Sequence, residues 1–364
     1  MPRIACNALA LRPAGTGVQT YIRELLRALS REFVIDLLVA VQSDAVAELP
    51  VGVQTRPIRP VAGWRRALAG LRSLGPADLV HGMDVDLPWR TTAPTVTTVH
   101  DLAVFDVPWT MSRRKALGER LIYRRALRQA DSVIADSAFT AERVQDLFGL
   151  SATVIHLGAP SDLGPATPEA IAHVRRRYAL PEVYVLHVGT LERRKDVATV
   201  AAACLQASIP LVLAGPVQQG RVAPVSARAL GYVPRQDLAA LYSGAITACS
   251  SHYEGFGLPL LEAMACRGPV VAAEAGAFPE IAGDAAVLVP PGDVDRWATA
   301  LAELAGDATK RAEIGEAGCQ RAAAFSWTTA AAKTAAVYAS LGVAVARRRE
   351  GSAEVSSSTP KEVI

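Results

Sequence analysis

The chain has 364 residues, of which 51% are hydrophobic and 20% charged, and its formal net charge is +3. This length is comfortable for two domains, and the composition is that of a soluble globular protein with ample core material. The net charge is too small to indicate a nucleic-acid-binding protein. The sequence contains no run of about 18 or more apolar residues, which excludes a membrane-spanning helix.

The cysteines and the amino terminus indicate the compartment. Four of the five cysteines fall in apolar runs, and none forms a CxxC pair, which favours buried free thiols in a reducing environment. The amino terminus passes from MPR directly into a strand-like segment and shows no signal peptide. These features predict a cytoplasmic protein. The five cysteines are Cys6, Cys204, Cys249, Cys266 and Cys319.

Short β-like runs alternate with helical stretches along almost the whole chain. This alternation predicts an α/β protein with two doubly wound domains, each a parallel sheet covered by helices. In the first half the predicted strands are Ile4–Leu9, Phe33–Val41, Val53–Ile58, Asp78–His81, Thr95–Val99, Ser132–Ala135 and Thr153–His156. The helices that separate them include Val18–Ser30, Met111–Gln129 and Phe139–Phe148. In the second half the predicted strands are Val183–Val188, Pro210–Ala214, Ala229–Val233, Ala245–Cys249, Pro269–Ala272 and Ala286–Val289.

The joint between the domains is predicted in the segment Ala159–Pro168, APSDLGPATP, which is rich in Pro, Gly, Ser and Thr. We place the first domain at residues 1–162 and the second at residues 163–326. From Arg347 onward the chain is charged and rich in serine, so residues 347–364 are predicted to be disordered.

Ligands of doubly wound sheets bind beyond the carboxyl ends of the strands, so the loops at these ends identify the candidate site. The first strand leads to the Gly-rich turn Pro13–Gln19, a GxG pattern that suits a plain tight turn equally well. The strand Thr95–Val99 is followed by His100, and a lone histidine in a loop is more often structural than functional. The loop Gly189–Asp196 places three adjacent cations at a helix start. Cations there oppose the helix dipole, which favours a bound phosphate over a solvated charge run.

The segment Ser251–Ala265, SHYEGFGLPLLEAMA, is the most informative part of the chain. Glu254 precedes a Gly-Phe-Gly-Leu-Pro turn, and Glu262 lies in the apolar run that follows, which is typical of a helix beginning near Pro259. Amides at such a helix start form an anion site, and an anion site between two carboxylates suits a phosphorylated sugar. A plain surface turn would not need two glycines around a phenylalanine. The amides of the anion site would be those of Phe256, Gly257 and Leu258.

These motifs resemble those of the retaining GT-B glycosyltransferases of family 4, a group that includes many bacterial mannosyltransferases. The spacing of Glu254 and Glu262 matches the family's E-x7-E element. The likeness covers about residues 1–340 and implies two Rossmann-like domains facing a central cleft, with a helix at 327–346 that crosses back to the first domain. The segments that carry it are HVGTLERRKDVATV, LGYVPRQDLAALYSGAI, SSHYEGFGLPLLEAMA, PEIAGDAAVLVPPGD, TVHDLAVFDVP, ADSVIADSAFTAERV and VIHLGAP.

The resemblance implies a role for each candidate residue. Arg194 and Lys195 would bind the diphosphate of a sugar donor, and Glu262 would hold the ribose hydroxyls. Glu254 would hold the donor sugar together with the three amides named above, and His100 would lie near the transferred sugar. The remaining donor-binding candidates are Gly17, where the backbone would approach the phosphates, Gly189 in the cationic loop, and Val233 beside the base.

The residue types suit the transfer of a hexose from a nucleoside diphosphate to a hydroxyl group. Breaking the glycosidic bond builds negative charge on the leaving phosphate, and preorganised cations and amides lower that barrier. Because these cations can act where a metal acts elsewhere, neither a metal nor a cofactor is required. The resemblance implies retention, by attack of the acceptor hydroxyl from the face that the phosphate leaves. GDP-mannose is the favoured donor and a UDP-hexose the second choice, in polysaccharide or glycolipid synthesis.

Three other interpretations compete with this one. The pattern Met83–Asp86 resembles the DxD that binds a metal in GT-A transferases, but we interpret it as loop carboxylates. A dehydrogenase would need the third glycine of GxGxxG after the first strand, which is missing. A catalytically silent sugar-nucleotide-binding or scaffold homologue is disfavoured because Glu254, Glu262, Arg194 and Lys195 are all present.

Two residues depart from the family pattern. Small residues usually follow the Ala-Cys pair of the E-x7-E helix, but this chain has Arg267, a cation that suits the carboxyl end of a helix. The usual proline of the phosphate loop is Arg193, which we expect to face solvent or to extend the phosphate site.

The stretch Met111–Gln129 is strongly basic. On a helical wheel its arginines share one face with Leu117 and Leu121, and such a face can lie on an anionic membrane. A solvated helix face explains the pattern equally well. The membrane interpretation would place the protein at the inner face of the cell membrane, near a lipid-linked acceptor. The six arginines are Arg113, Arg114, Arg120, Arg124, Arg125 and Arg128.

Overall fold

The computed structural model describes residues 1–13, 17–216 and 223–348. In these ranges the strands are, in chain order, β1 (Arg3–Asn7), β2 (Phe33–Val34), β3 (Asp36–Gln42), β4 (Gln54–Ile58), β5 (Leu79–Gly82), β6 (Thr95–Val99), β7 (Ser132–Ala135), β8 (Thr153–Val154), β9 (Val185–Val188), β10 (Leu211–Ala214), β11 (Ala227–Gly231), β12 (Ile246–Cys249), β13 (Val270–Ala273), β14 (Val287–Val289) and β15 (Ala346–Arg347).

Helices connect most of these strands. They are α1 (Val18–Glu32), α2 (Trp64–Gly70), α3 (Ala103–Asp106), α4 (Arg113–Gln129), α5 (Ala138–Phe148), α6 (Pro168–Arg177), α7 (Val197–Gln206), α8 (Arg235–Ser243), α9 (Leu258–Ala265), α10 (Phe278–Ala282), α11 (Val294–Gly306), α12 (Ala308–Ala322) and α13 (Trp327–Ser340).

The strands form two parallel sheets, as the alternation predicted. The first sheet has the order β4-β3-β1-β5-β6-β7-β8, and the second has the order β11-β10-β9-β12-β13-β14. All five residues of β6, TVTTV, are buried. β-Branched residues fit such a central parallel strand, which is covered on both faces. Each predicted strand overlaps one of these thirteen, so the fold class is confirmed. We call the parts built on the two sheets the first and second domains.

The end of the chain departs from the prediction. The helix expected at 327–346 is α13, which ends at Ser340 because Gly342 follows with a positive φ of 83°. Beyond it, β15 pairs antiparallel with β2, so the predicted strand Phe33–Val41 is in fact two strands with different partners. Arg347 therefore belongs to a strand, and the amide of Arg348 donates to the carbonyl of Glu32, so the predicted disorder is wrong for these two residues. The rest of the predicted tail, 349–364, lies outside the described residues.

The returning helix ties the two domains together. α13 packs on α1 of the first domain, with Trp327 and Tyr338 buried. The backbone of Gly158, near the end of the first domain, lies against Trp327 so closely that a Cβ atom there would overlap the indole. Between β8 and α6, where the joint Ala159–Pro168 was predicted, the chain passes from the first sheet to the second without a helix or strand.

The carboxyl ends of the two sheets face each other. Ser137 and Thr140, which follow β7, donate side-chain hydrogen bonds of 2.6 and 3.2 Å to the carbonyl of Gly255, which follows β12. Glu280 of α10 accepts hydrogen bonds from the amides of Ala138 and Phe139 and so caps α5 across the boundary. The cleft between these ends is where ligands of such sheets bind.

Candidate active site

The cationic loop after β9 forms a turn of its own. Arg193, Arg194 and Lys195 make one 3₁₀ turn that ends at Asp196, which has the left-handed φ of 44°. The three cations therefore precede α7 and do not begin it as the sequence suggested. The turn directs Arg194 and Lys195 toward the loop after β12, whereas Arg193 extends across the cleft and stacks on Trp109 of the first domain.

Glu254 is the centre of a compact charged cluster. Its carboxylate accepts hydrogen bonds from Lys195 Nζ at 2.8 Å and Ser251 Oγ at 2.8 Å, and Arg194 NH1 lies 3.0 Å from its second oxygen. Only 8% of Glu254 is exposed. Burial alone would favour the neutral acid, but the two cations and the hydrogen bonds outweigh it and hold the pKa of Glu254 well below its usual range. Glu254 is therefore a carboxylate and not a proton donor at neutral pH.

The backbone around Glu254 is fixed by close contacts. The amide of Ala277 donates a 2.9 Å hydrogen bond to the Glu254 carbonyl. Gly276 has a φ of 59°, and a Cβ atom there would lie 2.6 Å from the Glu254 nitrogen. Gly257 has a φ of 99°, and its Cβ would lie 2.7 Å from the Phe278 ring. Glycine is required at both positions, so the loop is preorganised.

The start of α9 has the free amides that the sequence predicted. Gly257 precedes the first residue, Leu258, and Pro259 lies in the first turn. Within the described residues, the amides of Phe256, Gly257 and Leu258 donate to no acceptor. The Phe256 side chain is buried against His156 and Phe325, so only its backbone can serve a ligand. Free amides at a helix start bind anions.

The glycine candidates differ in what they contact. Gly189 has a φ of 132°, which favours glycine, and a Cβ atom there would make only an ordinary contact with Lys195 Nζ at 3.8 Å. Gly17 begins α1 with a φ of 64° and has open space where a Cβ would be. Residues 14–16 of the predicted turn Pro13–Gln19 lie outside the described residues.

Glu262 lies on the buried face of α9, in a second ion-pair group that the sequence did not predict. Its carboxylate accepts hydrogen bonds from Arg235 at 3.0 Å and from Tyr242 at 2.8 Å. Arg235 also forms two 2.8 Å hydrogen bonds with Asp162, in the segment that joins the domains. Burial raises the pKa of Tyr242 well above its usual range, so the phenol remains a donor. Val233 is buried just before α8, which begins with Arg235.

His100 follows β6 and lies on the opposite wall of the cleft. Its carbonyl touches Gly255 so closely that a Cβ on that glycine would overlap it. The ring, however, is engaged within its own domain: Nδ1 lies 2.6 Å from Asp136 and Nε2 lies 2.9 Å from the carbonyl of Met83. Burial disfavours the charged ring, but Asp136 outweighs it and raises the pKa of His100 to about 9. The imidazolium donates both of its N–H groups to these partners.

The DxD-like pair has a structural partner. Arg66 NH1 lies 2.5 Å from Asp86 and 3.7 Å from Asp84, beyond the end of β5. No group of three or more His, Cys, Asp or Glu side chains in 1–13, 17–216 and 223–348 is arranged to hold a metal ion.

Comparison with known proteins identifies the family. The family model "Glycosyltransferase Family 4" matches residues 15–163, and the model "Glycosyl transferases group 1" matches residues 173–321. The O-antigen chain mannosyltransferase B of Escherichia coli is 31% identical over 286 residues, which cover 71% of this chain and 74% of that protein. The chain belongs to the group 1 glycosyltransferases.

Two other similarities bear on this glycosyltransferase. A D-inositol 3-phosphate glycosyltransferase of Salinispora tropica is 31% identical over 391 residues, covering 94% of this chain and 80% of that protein. The crystal structure of Anabaena HepE in complex with UDP-glucose has a TM-score of 0.76 at 20% identity, and the match covers 93% of this chain and 100% of that one. The fold is therefore GT-B, with two Rossmann-like domains.

The structure of this glycosyltransferase groups the predicted residues in two sets. Arg194 and Lys195 contact Glu254, and Gly189 lies beside Lys195, whereas Glu262 lies further along α9 with Arg235 and Tyr242. The sequence missed Arg235, although it lies in one of the family-like segments. No helix among the described residues is both long and apolar enough to cross a bilayer. All five cysteines are free, and four are buried, as predicted.

Proposed function

We propose that the enzyme transfers a hexose from a nucleoside diphosphate sugar to a hydroxyl acceptor. The observation that carries this proposal is the buried cluster in which Arg194 and Lys195 converge on Glu254 beside the unpaired amides of Phe256–Leu258. Cations and amides aimed at one point stabilise the charge that develops on a departing diphosphate. Across the cleft, the His100 carbonyl closes the site from the first domain.

The proposal gives a distinct role to each of the candidate site residues. Arg194 and Lys195 bind the diphosphate and neutralise it as the bond to the sugar breaks. Glu254 is ionised, so it accepts hydrogen bonds from sugar hydroxyls and its charge favours the positive sugar of the transition state. Glu262 accepts from the ribose hydroxyls while Arg235 holds its carboxylate in place. Gly17 and Gly189 keep space for the phosphates, and Val233 borders the base.

We further propose that the anomeric configuration is retained and that no metal takes part. The acceptor hydroxyl attacks from the face that the phosphate leaves, and the phosphate oxygen takes its proton. Arg194 and Lys195 supply the charge that a metal would supply. NMR of the transfer product tests retention, and we expect the new glycosidic bond to have the same anomeric configuration as the donor. Transfer assays in EDTA test the need for a metal, and we expect full activity. An inverted product, or activity lost in EDTA and restored by a divalent ion, would contradict them.

For the donor we propose GDP-mannose, because the O-antigen chain mannosyltransferase B is named for the transfer of mannose. The Anabaena HepE complex with UDP-glucose makes a UDP-hexose the second candidate. A thermal-shift screen separates them, because a bound donor raises stability by about 2.7 kcal/mol at roughly 100-fold excess over Kd. We expect GDP-mannose to give the largest shift, and transfer activity must follow the same order.

Helix α4 of the first domain supports a proposal about where the protein acts in the cell. In α4, Arg120 and Arg125 of the predicted basic face bind carbonyls of their own domain. Leu117 and Leu121 remain 63% and 59% exposed. Four exposed arginines flank these leucines, so we propose peripheral contact with anionic lipid at the cytoplasmic face, near a lipid-linked acceptor. The four arginines are Arg113, Arg114, Arg124 and Arg128.

Liposome sedimentation tests the membrane contact. We expect binding to anionic vesicles at low salt, and loss of that binding in Leu121→Glu. The matched control is Leu205→Glu, which changes a 71% exposed leucine in α7 of the second domain. Equal binding of the two variants to the vesicles, or no sedimentation of the unmodified protein, would contradict the membrane proposal. Neither result would bear on the proposed transfer reaction.

A further inference from the structure

A cavity of about 350 Å³ lies in the second domain, away from the donor site. Small-molecule pockets span roughly 300–1,000 Å³, so this cavity has room for a small ligand. Its lining comes from α6, from α12 and from the residues that precede β9, β12 and β13. Because the strands are parallel, their starts lie at the edge opposite the loops that carry Lys195 and Glu254. The cavity is therefore separate from the proposed donor site.

Three arginines from different parts of the domain line this cavity. Arg175 belongs to α6, Arg267 follows α9, and Arg311 belongs to α12. Arg175 and Arg311 form no ion pair within the described part of the chain. Their hydrogen bonds go to backbone carbonyls. Arg175 donates to Glu182 and Gly244, and Arg311 donates to Leu304 and Ala305. Two full positive charges thus face one cavity without a carboxylate partner.

One of these guanidinium groups also has an unused donor. The Nε atom of Arg175 is buried and has no hydrogen-bond partner among the residues that the structure describes. Buried polar atoms in native proteins nearly always have partners, and an exception calls for a bound water, ion or ligand. Because this Nε atom has almost no accessible surface, a ligand in the cavity would reach it only after the Arg175 side chain turned toward the cavity.

Arg267 is held at the cavity in an unfavourable conformation. It has a φ of 54°, at the position after a helix where glycine is the usual residue. Its one ion pair, to Glu316 at 2.9 Å, is between side chains that are 55% and 48% exposed, and such pairs contribute little to stability. The family resemblance also leads us to expect a small residue here. The ion pair with Glu316 therefore offsets little of the cost of this left-handed backbone.

We propose that this cavity binds the phosphate group of a small metabolite. A phosphate carries about −1.5 to −2 charges at pH 7, which matches the two unpaired guanidinium groups. The planar guanidinium fork bonds phosphate oxygens in pairs. The one acidic side chain of the lining, Glu182, is exposed and can turn to solvent. Arg267 follows the end of α9, whose start provides the donor amides, so the two ligands would contact opposite ends of one helix.

Thermal unfolding and calorimetry with inorganic phosphate and a hexose monophosphate, at constant ionic strength, test this site. We expect Arg311→Gln to raise the Kd for the cavity by about 10- to 100-fold, since hydrogen bonds between charged groups are lost. Arg176→Gln is the matched control, because Arg176 is the exposed neighbour of Arg175 on α6. A gain in affinity from inorganic phosphate to the hexose monophosphate would show that the rest of the cavity binds the attached sugar, and equal affinities would limit the site to free phosphate.

Two further variants separate this site from the donor site and from folding defects. Arg267→Gly removes a cation but relieves the left-handed backbone, so we expect weaker phosphate binding with an unchanged or higher melting temperature. Lys195→Gln removes a donor-site cation and should leave binding at the cavity intact. The proposal is overturned if phosphate binds Arg311→Gln and Arg267→Gly as it binds the unmodified protein, or if Lys195→Gln abolishes all phosphate binding.

Discussion

The two walls of the cleft use their polar groups in opposite ways. On the first-domain wall, His100 donates to Asp136 and Met83, and Asp86 pairs with Arg66. On the second-domain wall, the amides at the start of α9 have no acceptor within the described residues, and Arg194 and Lys195 converge on Glu254, with Glu192 as a second partner of Arg194. The second wall therefore has donors and positive charge available for an anionic ligand, whereas the polar groups of the first wall bind one another. This difference predicts that mutations in the second wall will mainly change kinetics and donor binding, whereas mutations in the first wall will mainly change stability.

The largest effect is expected on the second wall. Lys195→Ala should lower kcat by about 10²–10³, because preorganised charge on the leaving phosphate is lost mainly in the transition state. Arg193→Ala is the matched control: it removes an adjacent cation whose side chain lies on Trp109 and not on Glu254. Steady-state kinetics with the best donor measure both. A Lys195→Ala enzyme with unchanged kcat would contradict the phosphate assignment.

The first wall should respond in stability. The folded pKa of His100, about 9, lies above its ordinary value of 6.5, so the folded state binds the proton more tightly. The stabilisation, roughly 3 kcal/mol at most, is complete below pH 6.5 and is lost as the pH rises through 9. Urea unfolding across this window should show the loss in the unmodified protein and in the control His173→Asn, which changes an exposed histidine. In His100→Asn the pH dependence should disappear, and its persistence there would refute the assignment.

A smaller effect is expected further along the second wall. Glu262→Gln keeps an acceptor for Tyr242 but removes the charge, so we expect donor Kd to rise about tenfold with kcat nearly unchanged. Asp162→Asn is the control, because Asp162 binds the same Arg235 and is 57% exposed in its side chain. If both variants weaken donor binding equally, Arg235 and not Glu262 is the nucleotide ligand.

The smallest effect concerns the contact between the walls. Glu280→Gln should destabilise the protein by about 1 kcal/mol, because the carboxylate of the second domain caps α5 of the first. The pKa of Glu280 is held below its usual range: burial alone would raise it, but hydrogen bonds from His156 and the α5 amides outweigh that effect. The contribution is therefore present above the ordinary pKa and lost as the pH falls below it. Urea unfolding at neutral and acidic pH measures this contribution, with Glu274→Gln, which changes an exposed glutamate, as the control. Equal stability of the two variants at neutral pH would show that the cap is unimportant.

The second wall could be predicted from the sequence because each of its parts is a continuous segment. One short stretch contains Glu254, the helix-start glycine and Glu262, and another contains Arg194 and Lys195. Local rules for turns and helix starts apply directly to such stretches. The pairing of Arg235 with Asp162 and Glu262 could not be predicted, because it joins three segments that meet only in the folded chain.

The first wall was harder to predict for the same reason. His100 and Asp136 follow different strands, and only the parallel order of β6 and β7 brings them together. The lone histidine therefore looked ambiguous, because the largest cause of its raised pKa is Asp136, a residue 36 positions away. Likewise, β2 lies near the start of the chain and its partner β15 lies near residue 347, so no local sequence pattern could predict their pairing.

The hydrogen bonds from Ser137 and Thr140 to the Gly255 carbonyl limit how relatives of this enzyme can be recombined. A chimera that takes its first domain from another family member must bring hydroxyl groups to these two positions. Without them the donor loop would carry an unsatisfied buried carbonyl, at a cost of about 1–3 kcal/mol. A first domain from a relative will therefore fit this second domain only if these two hydroxyl groups are transplanted with it.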